Sequence, residues 1–598
     1  MKIRYLNGSR LLRAMSAAVE QLRNSQSLLD QINVFPVPDG DTGANLVGTF
    51  RGLADIPLPQ RVTRLDTVLN LLAESVLTEA RGNSGAIMAE FACRLCDEWK
   101  SRVRINTREF ASGLVVAASG AKSAVGQPRE GTILTVLQRW ADWIEEQAAF
   151  ESDFEPLLLS SLMAARQFLR ETTDQLDVLQ EAGVVDAGAL GFVRLLEGVC
   201  ELIREGRVAT VDTETSETPT IASHHHPIEV DSTYRYCTEC LVTGKELSRS
   251  RLKGAIDGLG DSLIVSGAGT RARIHIHTDE PGAVFRVASQ FGEVLRTKAD
   301  DMVRQQESTR RGDRIAIVTD SACDLPAKVF DDDNIHVVPL RLRIGSEDHI
   351  ARMTLSTSDF YRMLDEESAE SPKTSQPSPA DFQRIYEFVA HHHEAVISIH
   401  LSGGVSGTFQ MAQRIARSFS ERIHVIDSRS ASVGLGFLVE QAARWAEMSV
   451  PATDIVERLH AAVAQIESLF CVERLDYLIR GGRVSRAKGI VGKLLGMKPI
   501  FQYDETGTPQ LVGKALRGQS VHEVLLQKVL TLARSMPTVR LGIAHAEDPD
   551  RAHWYAERLA STIEPASILV TELSPVIAIH GGRGTIGITI IPAEFSNP

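Results

Sequence analysis

From Gly8 to about Arg204 the apolar residues recur in one helical pattern after another, and no feature constrains the fold of this chain more tightly. Leu11, Leu12, Met15, Ala18, Val19 and Leu22 fall at helical spacing, as do Val68, Leu71, Leu72, Val76 and Leu77, then Ile87, Phe91 and Leu95. Further helices are expected over residues 107–125, 131–147, 155–172 and 187–205. A stretch patterned this way folds as an all-α bundle, with its polar residues gathered on the loops.

At 598 residues the chain exceeds one such bundle and should hold several domains. Residues 206–232 form a polar, acidic, Pro-containing linker that includes His224, His225 and His226, a run read as solvated rather than metal-binding. Residues 233–303 read as a small α/β middle domain, with strands near 234–242, 262–266, 272–277 and 293–295 and helices near 252–259 and 281–291. A second polar joint covers 304–313. From 314 to 598 short apolar strands alternate with helices, the pattern of an α/β domain with a largely parallel sheet.

Composition narrows the function classes. No uninterrupted apolar run is long enough to span a bilayer, and residues 1–8 lack the apolar core of a secretory signal. Seven cysteines in so long a chain are too sparse for a disulfide framework, and the formal charge of −13 argues against a nucleic-acid partner. A cytoplasmic location is expected.

Chemistry concentrates first in Asn33-Val34-Phe35-Pro36-Val37-Pro38-Asp39-Gly40-Asp41-Thr42-Gly43-Ala44-Asn45. Two prolines stop the preceding helix and two glycines let the chain turn. Hard oxygen ligands on a tight loop suit Mg²⁺, which binds through one or two carboxylates together with substrate phosphates. Three more polar loops follow in the same domain: Ala80-Arg81-Gly82-Asn83-Ser84-Gly85, Gln127-Pro128-Arg129-Glu130-Gly131-Thr132 and Gly183-Val184-Val185-Asp186-Ala187-Gly188. The first two open helices, where free N–H groups favour a phosphate; ordinary capping by Asn83 or Ser84 is the alternative. There is no G-x-x-x-x-G-K-[ST], which excludes a P-loop.

These four motifs, in this order and spacing, resemble the kinase subunit of bacterial fatty acid kinase over residues 1–205. The nucleotide domain is similar to the DhaL-type ATP-binding subunit of dihydroxyacetone kinase, which has glycerone kinase activity. The resemblance implies an eight-helix barrel that holds ATP through two Mg²⁺ ions. It implies Asp39 and Asp41 as metal ligands, with Asn33 as the third and Asp30 as its rival. Asn83, Ser84 and Gly85 would meet the phosphates; Thr42, Asn45, Thr132, Asp186 and Gly188 would lie near the nucleotide.

The middle domain carries Tyr236-Cys237-Thr238-Glu239-Cys240 and Arg273-Ile274-His275-Ile276-His277-Thr278-Asp279. On strands, His275 and His277 share a face, whereas Cys237 and Cys240 take opposite faces. Cys237, His275 and His277 would make a Zn²⁺ site with the fourth ligand open; a histidine pair facing solvent beside two core cysteines is the alternative. The middle domain of the same kinase subunit has similar pieces, and the resemblance also implies metal there. The last domain carries Lys373-Thr374-Ser375-Gln376-Pro377-Ser378, Leu401-Ser402-Gly403-Gly404-Val405-Ser406-Gly407-Thr408, Leu478-Ile479-Arg480-Gly481-Gly482-Arg483-Val484-Ser485 and His580-Gly581-Gly582-Arg583-Gly584. Neutral hydroxyls at strand ends and helix N-termini suit a carboxylate.

These pieces resemble the DegV family, the fatty-acid-binding subunits of the same kinase, over residues 314–592. The resemblance implies a fatty acid in an apolar tunnel, its carboxylate held by Thr374, Ser375 and Ser406, with Ser402 beside them and with His580 and Arg517 facing the transferred phosphoryl group. The whole chain then reads as a single-chain fatty acid kinase, giving acyl phosphate for phospholipid synthesis. Its expected partners are fatty acid, ATP, an acyltransferase that accepts acyl phosphate, a transient membrane surface and a second copy in a homodimer. The competing readings are a kinase of another small substrate, such as a hydroxyketone, and a non-catalytic fatty-acid carrier or sensor.

Overall fold

The helical patterning is realised as eight helices of nine residues or more among the described residues of 8–205: Gly8–Asn24, Thr42–Phe50, Leu65–Glu79, Gly82–Glu98, Thr107–Ala124, Ile133–Ala148, Phe154–Glu171 and Ala187–Glu205. The computed structural model describes residues 2–53, 63–205, 234–345, 347–365, 372–483, 498–516, 519–536 and 538–595. Gly8–Asn24 packs on Ala187–Glu205 and on Leu65–Glu79, and each later helix packs on its successor, so seven of them close into a circuit. Thr42–Phe50 packs on Gly8–Asn24, Gly82–Glu98 and Ala187–Glu205. This agrees with the expected helical barrel. Leu22, Leu46, Ala89, Ala117 and Val136 fill its core. Gly198 brings the last helix onto the first: a methyl group there would lie 2.4 Å from the Ala17 carbonyl oxygen. Asn106 caps Thr107–Ala124 reciprocally with Glu109, and Asp153 caps Phe154–Glu171.

The chain divides into two compact units, residues 1–310 and 311–598. The first contains both the helical circuit and the middle domain. That domain is an antiparallel sheet in the spatial order Asp261–Ala268, Arg271–Thr278, Tyr236–Thr243, Glu293–Asp301. Helices Arg249–Ile256 and Pro281–Ser289 pack on the sheet, and Leu241 and Ile264 join the core of the helical circuit. Glu90, on Gly82–Glu98, is fully buried and ties the two together. It accepts from Arg94 at 2.7 Å, from Arg249 at 3.0 Å and from the Gly267 amide at 2.9 Å.

The stretch expected to be a polar joint, 304–313, is largely taken up by helix Met302–Arg311. Asp301 accepts the Arg304 amide at its start, and Glu307 pairs with Arg310 three residues on. The first linker, 206–232, and its histidine run lie outside the described residues.

The second unit departs from a single parallel sheet. A four-stranded sheet, ordered Ile423–Asp427, Ala395–His400, Ile315–Asp320, His336–Val338, is parallel throughout. A six-stranded sheet runs Pro509–Ala515, Lys498–Tyr503, Glu467–Cys471, Ile586–Pro592, Val539–His545, Ser567–Glu572, and only its last pair is parallel. The strand Ile586–Pro592 inserts between two others and opposes both, which makes this sheet mainly antiparallel. A small antiparallel sheet of Glu347–Ile350, Arg341–Ile344 and Lys373–Ser375 carries Thr374. No helix among the described residues is long and apolar enough to cross a membrane.

Candidate functional site

The proline-interrupted loop before helix Thr42–Phe50 brings three polar side chains together. Asn33 donates from Nδ2 to Asp39 Oδ1 at 2.7 Å, and both are buried. Asp30 turns to the helix instead: its Oδ1 accepts the Ala44 amide at 3.0 Å, and burial pushes its carboxyl up to about 7. Burial also raises Asp39, and the neighbouring Asp41 charge raises it further. Asp41 is raised by burial too, against the opposing charge of Lys298. Two carboxylates confined in this way, with an amide oxygen at hand, form a hard-oxygen donor set that a divalent cation fits.

The other loops of the helical circuit converge on this one. Asn45 hydrogen-bonds Asp41, and its Nδ2 lies 2.5 Å from where a methyl group on Gly82 would stand. Gly82 takes φ +62°, which lets the chain turn into helix Gly82–Glu98. Arg81 holds the cap position with no side-chain cap bond, so Asn83 and Ser84 lie within the first turn rather than capping it. A methyl group on Gly188 would lie 2.5 Å from Ser84 Oγ and 3.3 Å from Asp186 Oδ1. Asp186 accepts the Ala189 amide at 2.7 Å and also bonds the Ile133 amide, next to Thr132; burial pushes its carboxyl up to about 6. Thr132 is buried and donates to the Arg129 carbonyl at 2.8 Å. Gly85 is held against Thr49, and Thr42 opens its helix. The N-terminal turns of Gly82–Glu98 and Ala187–Glu205, with the Gly82 amide donated to Glu239 and the Ala189 amide to Asp186, point their positive dipole ends at this cluster, a setting that suits a phosphate.

The middle sheet adds residues that the sequence did not single out. Its register aligns His277, Cys237 and Asp300 in one cross-strand row and His275, Glu239 and Lys298 in the next. The rows are two residues apart, so they share one face. The ligand atoms of Cys237, His275 and His277 lie within 4.8 Å of one another, and Cys240 is no part of this group. His275 Nε2 is buried without a hydrogen-bond partner, while Nδ1 lies 3.1 Å from Glu239 Oε1. Burial, then the His275 charge, pushes His277 down to about 3, so the neutral imidazole is the resting form. A soft thiol, two imidazoles and an orphaned buried nitrogen fit a zinc ion.

Asp41 feels the charges of Lys298 and Asp300, and Cys237 feels that of Asp41. The two donor sets are therefore neighbours. Glu239 stands inside the Tyr236–Cys240 motif, but Lys298 and Asp300 carried no signal beyond their period-two alternation.

In the second unit a cavity is lined by Leu340, Leu401, Val405, Leu469, Phe470 and Leu478, with Thr374, Ser406, Arg483 and His580 as polar groups. Thr374 Oγ1 and His580 Nε2 share a hydrogen bond of 2.9 Å. Burial, then the Arg483 charge, pushes His580 down to about 3. Ser406 Oγ pairs with Thr408 Oγ1 at 2.8 Å. Ser375 is exposed on the same strand as Thr374, and Ser402 is buried with its hydroxyl donated to the Gly507 carbonyl at 2.6 Å. Arg517 lies outside the described residues.

Residues 314–593 match the DegV family, residues 36–201 the DAK2 domain, and residues 233–309 the middle domain of FakA-like fatty acid kinases. A DegV domain-containing protein of Staphylococcus aureus (strain MRSA252) is 32% identical over 279 residues, which is 46% of this chain and 98% of that protein. Protein YloV of Bacillus subtilis is 32% identical over 323 residues, 52% of this chain; the match spans 58% of that protein's length. Among solved structures, one reported as fatty acid binding of a DegV family protein from Thermus thermophilus is 31% identical, covering 47% of this chain and 99% of that one, with a TM-score of 0.44.

Proposed function

This chain belongs to the DegV family, and on that premise we propose that it is a fatty acid kinase in one polypeptide, transferring a phosphoryl group from ATP to the carboxylate of a fatty acid. One observation above all supports the reading: residues from distant loops of the first unit meet around the buried Asp39 and the half-buried Asp41, in a chain that also carries an apolar cavity with a Thr–His pair. The DAK2 and FakA-like matches ahead of the DegV domain point the same way.

Bound Mg²⁺–ATP supplies the phosphoryl group and neutralises its charge. Asp39 and Asp41, with Asn33, would hold the cation. The amides at Gly82–Ser84 and Gly188 would orient the phosphates, and Asp186 fixes the Ala187–Glu205 helix start that carries Gly188. Cys237, His275 and His277 would hold zinc as a cross-link of the middle sheet. In the cavity, Thr374 and Ser406 offer hydroxyl donors to a carboxylate while the apolar wall excludes water. Neutral His580 leaves the acyl carboxylate uncompensated and therefore nucleophilic. Tethering both sites in one polypeptide raises their effective concentration for each other.

The test is mass spectrometry of the purified protein for bound fatty acid, followed by ADP release on adding ATP, Mg²⁺ and oleate. Acyl phosphate formation with oleate and none with a triose is the expected result. Turnover on the triose alone, or fatty acid binding with no ADP release, would reject it.

A further inference from the structure

Glu239 is 1% exposed, yet its carboxylate serves two sites at once. Oε1 accepts the Gly82 amide at 2.8 Å and lies 3.1 Å from His275 Nδ1. Oε2 accepts from Arg273 at 2.8 Å, and Arg273 in turn donates to the Thr78 carbonyl at 3.1 Å, two residues before the Gly82 loop. Lys298 Nζ stands 3.6 Å from Oε1 and 2.8 Å from Asp300. A single oxygen therefore meets the first amide of the helix whose N-terminus faces the phosphate site and the ring of a histidine in the Cys237–His275–His277 cluster. Both partners are held in place, so a change at either site is taken up by the carboxylate between them. Gly82 is at φ +62° with Asn45 pressed against it, and His275 sits in the middle of the sheet between two paired strands.

We propose that Glu239 is a positioning residue that couples the two sites, so that a thiophilic divalent cation on Cys237, His275 and His277 strengthens the binding of a nucleoside di- or triphosphate at the Gly82 loop. The proposal rests on the zinc and nucleotide readings above. Its direction follows from charge. A histidine that holds a cation through Nε2, the ring nitrogen of His275 left without a partner, is a stronger Nδ1–H donor, and a charge-assisted bond draws the carboxylate toward it. The Gly82 amide is then released to a phosphate oxygen, and the negative field of Glu239 beside that oxygen is partly neutralised. Both effects favour an anion. Linkage makes the effect reciprocal: the nucleotide must tighten the cation by the same factor.

The experiment uses the full chain. Zinc content is measured by elemental analysis, zinc is withdrawn with a zinc-selective chelator, and Mg²⁺–ADP affinity is read by calorimetry before and after, with Mg²⁺ held constant. Loss of zinc should weaken ADP binding by about tenfold, and ADP should raise zinc retention against the chelator by the same factor. In Glu239→Gln, which keeps the shape and removes the charge, both ratios should fall to within about twofold while each ligand still binds. The wild-type reciprocity stands as a test even if that variant fails to fold. A protein that takes up zinc with no change in ADP affinity overturns the coupling alone, as does coupling undiminished in Glu239→Gln. A protein that binds ADP but takes up no zinc overturns the metal reading and this proposal together.

Discussion

At the Asp39–Asp41 loop burial pushes carboxyl groups up, whereas at the cavity of the second unit it pushes the His580 imidazole down to about 3. The same physical cause, loss of water, has opposite consequences for the charge each site holds. The first site gathers like charges into a set that a cation would fit, and the charge of Lys298, in a strand far along the chain, acts on it. The second holds a neutral ring, hydroxyls and aliphatic walls. A chain with two such sites should lose one function at a time.

The largest effect that separates them is Asp41→Ala. Turnover should fall by at least about a thousandfold, because phosphoryl transfer depends on charge neutralisation more than on any covalent group. The fatty acid that co-purifies, counted by mass spectrometry, should be unchanged. Acyl phosphate formation within tenfold of wild type would sink the assignment of this loop.

Next in size is Glu90→Gln. That carboxylate is buried under Arg94, Arg249 and the Gly267 amide, where the helical circuit meets the middle sheet. Removing its charge leaves two guanidinium groups without their buried counter-ion, at a cost of about 3 kcal/mol. Hydrogen exchange should rise in peptides of residues 82–98 and 249–268, with peptides of the second unit unaffected. Equal loosening of both units would show that the two regions are not energetically separate.

How far these regions could be read from the sequence follows the same division. The helical circuit was legible because Leu11, Leu12, Met15, Val19 and Leu22 state their period within a few turns, and its bounds shifted by only a residue or two. The Asp loop and the hydroxyl loops were legible because each motif is contiguous. The neighbourhood of Asp41 and Lys298 was not: it depends on a three-strand register that pairs Glu239 with both His275 and Lys298, which no local window contains. The antiparallel character of the second sheet escaped for a similar reason, since the insertion of Ile586–Pro592 between two earlier strands is a topological choice. Ser402 sits in the expected loop, but its hydroxyl is committed to the Gly507 carbonyl.

A smaller effect tests the second site. Thr374→Val keeps the shape of the side chain and removes the hydroxyl that bonds His580. A hydrogen bond from that hydroxyl to a bound carboxylate is worth about 1.5–3 kcal/mol, so fatty acid affinity should weaken by at least about tenfold. ADP affinity should stay as it was. A loss of ADP binding instead would mean that the hydroxyl acts on the fold rather than on the ligand.

The smallest effect is the most direct measure of the contrast, because it has opposite signs in the two regions. Asp30 is raised to about 7 from an ordinary value of 3.8, so its ionisation penalises the folded state as pH climbs from about 4 through 7. Asp30→Asn, which keeps an acceptor for the Ala44 amide, should therefore gain stability relative to wild type with rising pH. His580 is lowered to about 3 from 6.5, so the unfolded chain binds its proton first and the wild type loses stability as pH falls below about 6.5. His580→Gln should gain relative to wild type with falling pH. Each difference curve has a slope of at most about 1.4 kcal/mol per pH unit, the value for one proton. Urea unfolding followed by hydrogen exchange in each unit between pH 5 and 8 separates the two curves. Slopes of the same sign would mean that burial does not act on the two sites in the opposed way that their chemistry requires.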